Sequence, residues 1–148
     1  TISVSAFLLN RSSDLRLNIE PLPDKYRDLL KFRQRDINLQ IGAGKMKENK
    51  TLSLLGPGST FYNNETTNQS IKIEVDTMSN ICRKYVPKNE SIQFCKIDVE
   101  GGEKDVLLGY DFENYRPKVF CIESVQVHTG IPNHDLWEDI LLKNDYET

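Results

Sequence analysis

The sequence predicts an α/β fold in which helices cover a mainly parallel sheet. Strand-like and helix-like segments alternate along the 148 residues, which is the order produced by strands joined through crossover helices. Three strand-like segments also end at or near an acidic residue, namely Glu20, Asp98 or Glu123. Ligands of open α/β sheets bind outside the carboxyl ends of the strands. We therefore predict a single domain over residues 1–148, with its functional site at that edge.

The first half of the chain contains a leading segment, three strands, one helix and a polar loop. These elements lie at residues 1–9 (strand or helix), 15–20 (strand), 24–33 (helix), 37–41 and 51–55 (strands) and 56–70 (loop). The first strand alternates apolar and polar side chains and stops at Pro21, which is typical of a strand followed by a turn. The loop consists of turn-forming residues, and its length indicates that it is either functional or mobile.

The remainder of the chain continues the alternation with further strands and helices. The elements lie at 71–75 (strand), 76–85 (helix), 91–99 (buried strand), 103–108 (helix), 118–123 (strand), 133–143 (helix) and 146–148 (start of a strand). Asp76 is the predicted N-cap of its helix, and Gly109 is the predicted stop of the next. The last helix begins at Asn133 or Asp135.

Composition argues against several classes of function. The formal net charge of −3 gives no bulk attraction for nucleic acid or for an anionic membrane surface. No apolar run approaches the roughly 20 residues that span a bilayer, and the first residues carry no basic leader. The three cysteines, Cys82, Cys95 and Cys121, have no CxxC spacing, so we expect neither disulfides nor a zinc site. Free thiols indicate a reducing compartment, and we expect a cytoplasmic location. We also expect Cys95 and Cys121 to be buried.

The segment KIDVEGGEKDVLLGYDFENYRPKVFCIES, residues 96–124, resembles the hallmark of the FkbM family of S-adenosylmethionine-dependent methyltransferases. That hallmark is a Lys-Ile-Asp-Val-Glu-Gly-x-Glu block, then Val-Leu-x-Gly, then a Pro before a strand that ends in Glu. The matching residues are Lys96, Ile97, Asp98, Val99, Glu100, Gly101, Glu103, Val106, Leu107, Gly109, Pro117 and Glu123. Residues 18–23 look like the family's acidic end of the second strand, and residues 76–78 lie where the family has a related segment.

The resemblance covers residues 17–146. It implies a Rossmann-like class I methyltransferase fold, S-adenosylmethionine as the cofactor, and methyl transfer to a hydroxyl of a small molecule or saccharide. It also implies that Glu20 accepts hydrogen bonds from the ribose hydroxyls, which suits a carboxylate because it is purely an acceptor. Ile41 and Gly42 are expected to flank the adenine. Asp98 is expected to hold the cofactor's ammonium group or to accept a proton from the acceptor hydroxyl.

Two further residues are candidates for proton transfer. Glu100 lies two positions after Asp98, so both point to the same side if the strand continues, and repulsion between them would raise one pKa toward neutrality. Alternatively, Glu100 or Glu103 caps the next helix, and we assign that role to Glu103. His128 follows Glu123 and is either a general base or an ordinary surface histidine, as is His134.

Asp98 and Glu123 have the oxygen ligands that magnesium or calcium prefers, but no histidine lies at metal-ligand spacing with them. We therefore assign no metal. A metal-dependent hydrolase that uses the clustered carboxylates of Asp98, Glu100 and Glu123 remains an alternative function.

The resemblance breaks at the family's glycine-rich cofactor loop, which follows the first strand. Nineteen residues precede Glu20, and residues 1–18 contain no glycine. A strand, a loop and a helix need roughly 30 residues. We expect the loop to be missing or replaced and the fold to be incomplete at both ends. A catalytically inactive fragment or remnant of that fold is thus a second alternative, and unpaired sheet edges predict self-association.

Overall fold

A computed structural model describes residues 3–10, 13–53, 70–88, 90–126 and 129–147. Within these ranges, none of the helices is both long enough and apolar enough to span a bilayer. The elements in chain order are β1 (Ser3–Asn10), β2 (Ser13–Ile19), α1 (Pro23–Phe32), β3 (Ile37–Leu39), β4 (Gly42–Ala43), β5 (Glu48–Ser53), β6 (Ser70–Asp76), α2 (Met78–Tyr85), β7 (Ile92–Asp98), α3 (Glu103–Leu108), β8 (Val119–Ile122), a 3₁₀ helix (His134–Leu136) and α4 (Glu138–Leu142). Most of the predicted loop over 56–70 lies outside the described residues.

The larger sheet has five strands in the order β3-β2-β1-β7-β8. The four outer strands run in one direction, and the central strand β1 is antiparallel to both of its neighbours. The predicted parallel arrangement therefore holds for the outer strands and is wrong for the central one. The physical reason is the connection: only residues 11–12 separate β1 from β2, and a parallel pair needs a crossover of about a dozen residues.

Two strand–helix–strand units diverge from this central strand. One unit, β2-α1-β3, extends the sheet to one side, and the other, β7-α3-β8, extends it to the opposite side. Such a divergence opens a crevice outside the carboxyl ends of the strands. Glu20 follows β2, Asp98 ends β7 and Glu123 follows β8, so all three lie at the predicted edge.

The smaller sheet has the order β4-β6-β5. The strand predicted over 37–41 ends two residues earlier, because β3 stops at Leu39 and pairs with β2. Gly42 begins a separate strand, β4, and pairs with Val75 of β6. This region approaches the loop after α3 very closely. A Cβ atom placed on Gly109 would lie 2.1 Å from the Gly44 carbonyl oxygen.

Two predicted helix boundaries are corrected by the structure. The N-cap of α2 is Thr77, whose hydroxyl accepts from the Asn80 N–H at 3.1 Å, and not Asp76. Asp76 instead accepts from the Thr77 N–H at 2.8 Å. The helix predicted over 133–143 is broken at Trp137, whose φ of −140° and ψ of −15° are not helical.

The predicted strand at 146–148 is absent from the described residues, which end at 147. Tyr146 instead packs its ring against Phe120, with centroids 5.1 Å apart, and donates its hydroxyl to the Pro117 carbonyl at 2.6 Å. These contacts tie the end of the described chain to the start of β8.

The core lies between the larger sheet and its helices. Leu17 in β2, Ile97 in β7 and Leu107 in α3 are completely buried, as alternating strands and an apolar helix face require. Cys95 is buried as predicted, but Cys121 is exposed. The prediction for Cys121 was wrong because β8 is an edge strand, and every second residue of it faces outward.

Candidate active site

Four acidic residues lie at the carboxyl edge of the larger sheet. They are Glu20, Asp98, Glu100 and Glu123. The last three form a cluster in which one carboxylate oxygen of each lies within 4.8 Å of the others. The structure thus brings together the three carboxylates that the sequence identified as neighbours, and we call them the carboxylate cluster.

Glu20 is held in a buried turn directly after β2. The residue is 3% exposed, its Oε1 accepts from the Leu22 N–H at 2.9 Å, and its own N–H donates to the Leu39 carbonyl at 3.0 Å. Burial raises the pKa of the Glu20 carboxyl from 4.5 to about 7, and the negative charge of Asp98 adds to the rise. This carboxyl therefore gains or loses its proton near neutral pH.

Asp98 is the last residue of β7, and its side chain is 17% exposed. Its Oδ2 accepts from the Lys96 Nζ at 2.8 Å, and this bond raises the pKa of Lys96. Lys96 lies two residues earlier on the same side of the strand, as the alternation of side chains requires. The ion pair fixes the Asp98 carboxylate at the sheet edge and leaves its second oxygen for other contacts.

The turn after β7 positions Glu100. Glu100 has a φ of 54° and Gly101 a φ of 98°, a backbone that costs a non-glycine residue about 1 kcal/mol or more. Glu103 is 2% exposed and its Oε1 accepts from the N–H groups of Val99 at 3.3 Å and Gly101 at 3.1 Å. Glu103 therefore caps the turn in front of α3, which refines its predicted capping role.

The whole Glu100 residue, backbone included, is half-buried. Its side chain, which contributes a carboxylate to the cluster, is buried. Strained backbone of this kind recurs at functional sites, where surrounding contacts hold it in place. Here the Glu103 carboxylate supplies such contacts through the Gly101 N–H.

Glu123 completes the cluster from the end of β8. Its N–H donates to the Ile97 carbonyl at 3.0 Å, and its Oε2 is buried with no hydrogen-bond partner among the described residues. Burial raises the pKa of Glu123, and the charges of Asp98 and Glu100 raise it further. The sequence placed Glu123 among the three acidic strand ends at the predicted site, but the one chemical role that it suggested for this residue was that of a metal ligand.

The remaining predicted site residues are not members of the carboxylate cluster. Ile41 is half-buried against the core, two residues after Leu39. Gly42 is buried in β4 of the smaller sheet. His128 lies outside the described residues, so its role as a base stays a prediction. His134 is in the 3₁₀ helix, partly exposed, and pairs with Asp135 at 3.1 Å.

The carboxylate cluster offers only oxygen ligands, the set that magnesium or calcium prefers over zinc. A second group of metal-capable side chains, His134, Asp135 and Glu138, lies on the surface of the following segment. Exposed acidic groups are common in proteins without a bound ion, so the second group gives no functional assignment.

A comparison with models of protein families matched residues 3–148 to the family described as "Methyltransferase FkbM domain". Comparisons with curated proteins and with solved structures gave no match. The matched region includes both strand–helix–strand units and all four carboxylates at the sheet edge. The chain therefore belongs to the FkbM methyltransferase domain family.

Proposed function

We propose that this chain binds S-adenosylmethionine and transfers its methyl group to a hydroxyl of a small molecule or saccharide. The observation that carries the proposal is Glu20, a buried carboxyl at the end of β2, at the edge of the sheet where the two strand–helix–strand units diverge. The order β3-β2-β1-β7-β8 corresponds to the 3-2-1-4-5 order of a Rossmann-like sheet, with its central strand reversed.

The residues at this edge suit two regions of the cofactor. An ionised Glu20 is an acceptor only, so its carboxylate is suited to the two ribose hydroxyls. Asp98, whose Oδ2 already pairs with Lys96, can accept from the ammonium group of the methionine moiety. Ile41 and Gly42 follow β3, as they must if they flank the adenine.

The glycine-rich loop of such folds has no counterpart between β1 and β2. Ser3, at the start of β1, pairs with Asp98, while the β1–β2 connection lies at the far end of these strands, after Asn10. The cofactor's methionine end would therefore be held by side chains, chiefly Asp98, and not by a backbone loop after the first strand.

Bound S-adenosylmethionine supplies a methyl group made electrophilic by a sulfonium. The protein's share is to hold the acceptor hydroxyl in line with that methyl and to take the hydroxyl proton. Asp98 and Glu100 are the proposed proton acceptors, with His128 as a further candidate. Carboxylates as close as those of the cluster hold a shared proton more readily than isolated ones, and the raised pKa of Glu123 agrees with this.

Calorimetric titration with S-adenosylhomocysteine tests the proposal. We expect binding on the order of micromolar for the native chain, and a loss of roughly tenfold or more in Glu20→Ala, because the ribose hydroxyls lose a charged partner. Glu113→Ala is the matched control, since Glu113 is an exposed glutamate. Equal affinity in both variants would remove the assignment of Glu20, and a folded chain that does not bind would favour the inactive remnant.

The carboxylate cluster keeps the metal-dependent hydrolase as a second candidate function. Three carboxylate oxygens within 4.8 Å of one another are close enough to share one divalent cation. A hydrolase would lose its activity in a chelator, recover it with magnesium, and be indifferent to S-adenosylmethionine. Methyl transfer that survives chelation would exclude this candidate.

A further inference from the structure

The segment that joins β8 to α4 carries buried polar side chains without partners. Asn133 is 6% exposed and Trp137 is 7% exposed. Neither the Asn133 Oδ1 nor the Trp137 Nε1 has a hydrogen-bond partner among the described residues. Buried polar atoms in folded proteins nearly always have a partner, because an unmet one costs free energy. Two such groups four residues apart therefore point to a ligand that the segment receives.

This segment lies beside the carboxylate cluster. The Asn133 N–H donates to the Ser124 carbonyl at 2.9 Å, so the main chain of Asn133 lies next to the residue that follows Glu123. Four buried side-chain atoms in the described ranges lack a partner, and three of them belong to Glu123, Asn133 and Trp137. Asn133 is therefore joined through Ser124 to the end of β8, and Trp137 follows four residues later in the same segment.

The donor and acceptor capacities of these two side chains together suit a hydroxyl group on the ligand. The indole N–H of Trp137 only donates, and the amide oxygen of Asn133 only accepts. A hydroxyl both donates and accepts, so one hydroxyl, or two on one molecule, can satisfy both groups. An ammonium cannot accept from the indole, and a fully ionised phosphate cannot donate to the amide oxygen.

The charges near the segment restrict the class of acceptor further. Asp98, Glu100 and Glu123 bring three carboxylates together and would repel a phosphate or a carboxylate, and Lys96, a lysine paired within the cluster, already binds Asp98. A neutral molecule with several hydroxyls avoids this repulsion.

We propose that Asn133 and Trp137 form the acceptor subsite and bind hydroxyl groups of a neutral saccharide beside the carboxylate cluster; this inference rests on the proposed methyltransferase function. Both side-chain atoms are buried, so saccharide binding requires the side chains around them to move. Ahead of Asn133, the Gln126 N–H donates to the Ile131 carbonyl at 2.8 Å and the Gly130 N–H donates to the Gln126 carbonyl at 3.2 Å, and an isolated bridge joins Val125 and Pro132.

Trp137 is the single tryptophan of the chain, so its indole N–H gives one resolved signal in a proton–nitrogen correlation spectrum. The protein is first saturated with S-adenosylhomocysteine and then titrated with methyl glucoside, methyl galactoside, methyl mannoside, sucrose and inositol. We expect a saturable shift of the indole signal with at least one of these probes. Fully O-methylated methyl glucoside, which has the same ring but no hydroxyl donor, and glucose 6-phosphate should leave the signal in place.

Two variants separate a binding role from a structural one. Trp137→Phe removes the indole N–H and keeps an aromatic ring, and Asn133→Leu removes the amide. We expect each to weaken binding of the shifting saccharide by roughly tenfold, the effect of one net hydrogen bond, without lowering thermal stability. Saccharide affinity in Trp137→Phe is followed by calorimetry.

The outcomes are distinguishable. Binding of S-adenosylhomocysteine with an indole signal that no probe moves would overturn the acceptor subsite and leave the proposed function intact. A persistent nuclear Overhauser contact from the indole N–H to a bound water, with a less stable Trp137→Phe, would also overturn it, since a structural water then fills the site. Failure of S-adenosylhomocysteine to bind would instead overturn the proposed function itself, and this inference with it.

Discussion

Replacing Glu20 with glutamine separates the folding cost of a buried carboxylate from its proposed role in cofactor binding. Glutamine keeps an oxygen that can accept from the Leu22 N–H, which now donates to Glu20 Oε1 at 2.9 Å. It has nearly the same volume as glutamate, so the packing around this 3% exposed residue is preserved. The change removes the charge and the proton that the carboxyl can bind, and it replaces the second carboxyl oxygen with an amide NH2 group.

The magnitude follows from the pKa of Glu20, which burial raises from 4.5 to about 7. Below pH 4.5 both the folded and the unfolded chain hold this proton, and the residue costs nothing. As the pH rises toward 7 the unfolded chain gives the proton up first, so stability falls. Above the folded pKa the full penalty applies, about 3 kcal/mol for a rise of this size. Glutamine carries no such penalty at any pH.

Thermal melts across a series of pH values measure the effect. We expect Glu20→Gln to match the native chain near about pH 4 and to exceed its Tm by roughly 6–12 °C near about pH 8, for a chain of this size. Glu113→Gln, at an exposed position, is the control and should follow the native profile. The same Glu20→Gln protein should bind S-adenosylhomocysteine more weakly, because a neutral amide is a poorer partner for two hydroxyls.

Two results would refute this reasoning. One is a stability difference between Glu20→Gln and the native chain that is the same at both ends of the pH range, which would mean that the proton is not involved. The other is a variant that is less stable than the native chain near about pH 8, which would mean that the folded state gains from an ionised Glu20.

Three further predictions concern packing, the turn after β7 and the cofactor site. Gly109→Ala should destabilise the fold by about 2–3 kcal/mol in denaturant titration, because its Cβ would lie 2.1 Å from the Gly44 carbonyl oxygen. Gly130→Ala is the control: it has open space but a φ of +66°, and it should cost about 1 kcal/mol. Equal losses of stability in the two variants would contradict the steric argument. Glu103→Ala should cost about 2 kcal/mol by leaving two N–H groups of the turn unmet, and a neutral result would show that water replaces the carboxylate. Under the proposed function, adenosine should bind within about tenfold of S-adenosylhomocysteine in competition calorimetry, because Asp98 is the main side chain proposed to hold the methionine moiety. A ratio above roughly a thousandfold would reveal further contacts to that moiety.

Much of the fold follows from local patterns in the sequence. The strand over 15–20 and the helix over 24–33 appear as β2 and α1 with shifts of one or two residues, because alternation and Pro21 fix them locally. The same holds for β7 and α3 around the Asp98 turn. The cluster could be foreseen too, because strands that run in one direction bring their final residues to one edge.

The direction of β1 and the loss of the last strand are matters of tertiary context. The leading segment 1–9 has no period that separates strand from helix, and its direction is decided by pairing with β2 and β7. Tyr146 belongs to a segment whose residues would suit a strand, but its ring packs against the rings of Phe120 and Phe112. The unmet atoms of Asn133 and Trp137 have no signal in the sequence, since a missing partner is visible only once the neighbours are placed.

The antiparallel direction of β1 affects one part of the proposed cofactor site, the part after the first strand, and leaves the part at Glu20 unchanged. Glu20 is positioned by the Leu39 carbonyl and the Leu22 N–H, and neither contact depends on the direction of β1. A loop after the first strand that binds the cofactor through its backbone N–H groups does depend on the direction of β1. Here the β1–β2 connection follows Asn10, at the opposite edge of the sheet from Asp98. If the chain binds S-adenosylmethionine as proposed, the contacts offered by these strands come from carboxylate side chains, whose charge changes with pH, and less from backbone N–H groups, whose polarity does not. Under the proposed function, the unfavourable burial of Glu20 has a counterpart in binding: removing the charge would stabilise the fold and weaken the hold on the cofactor.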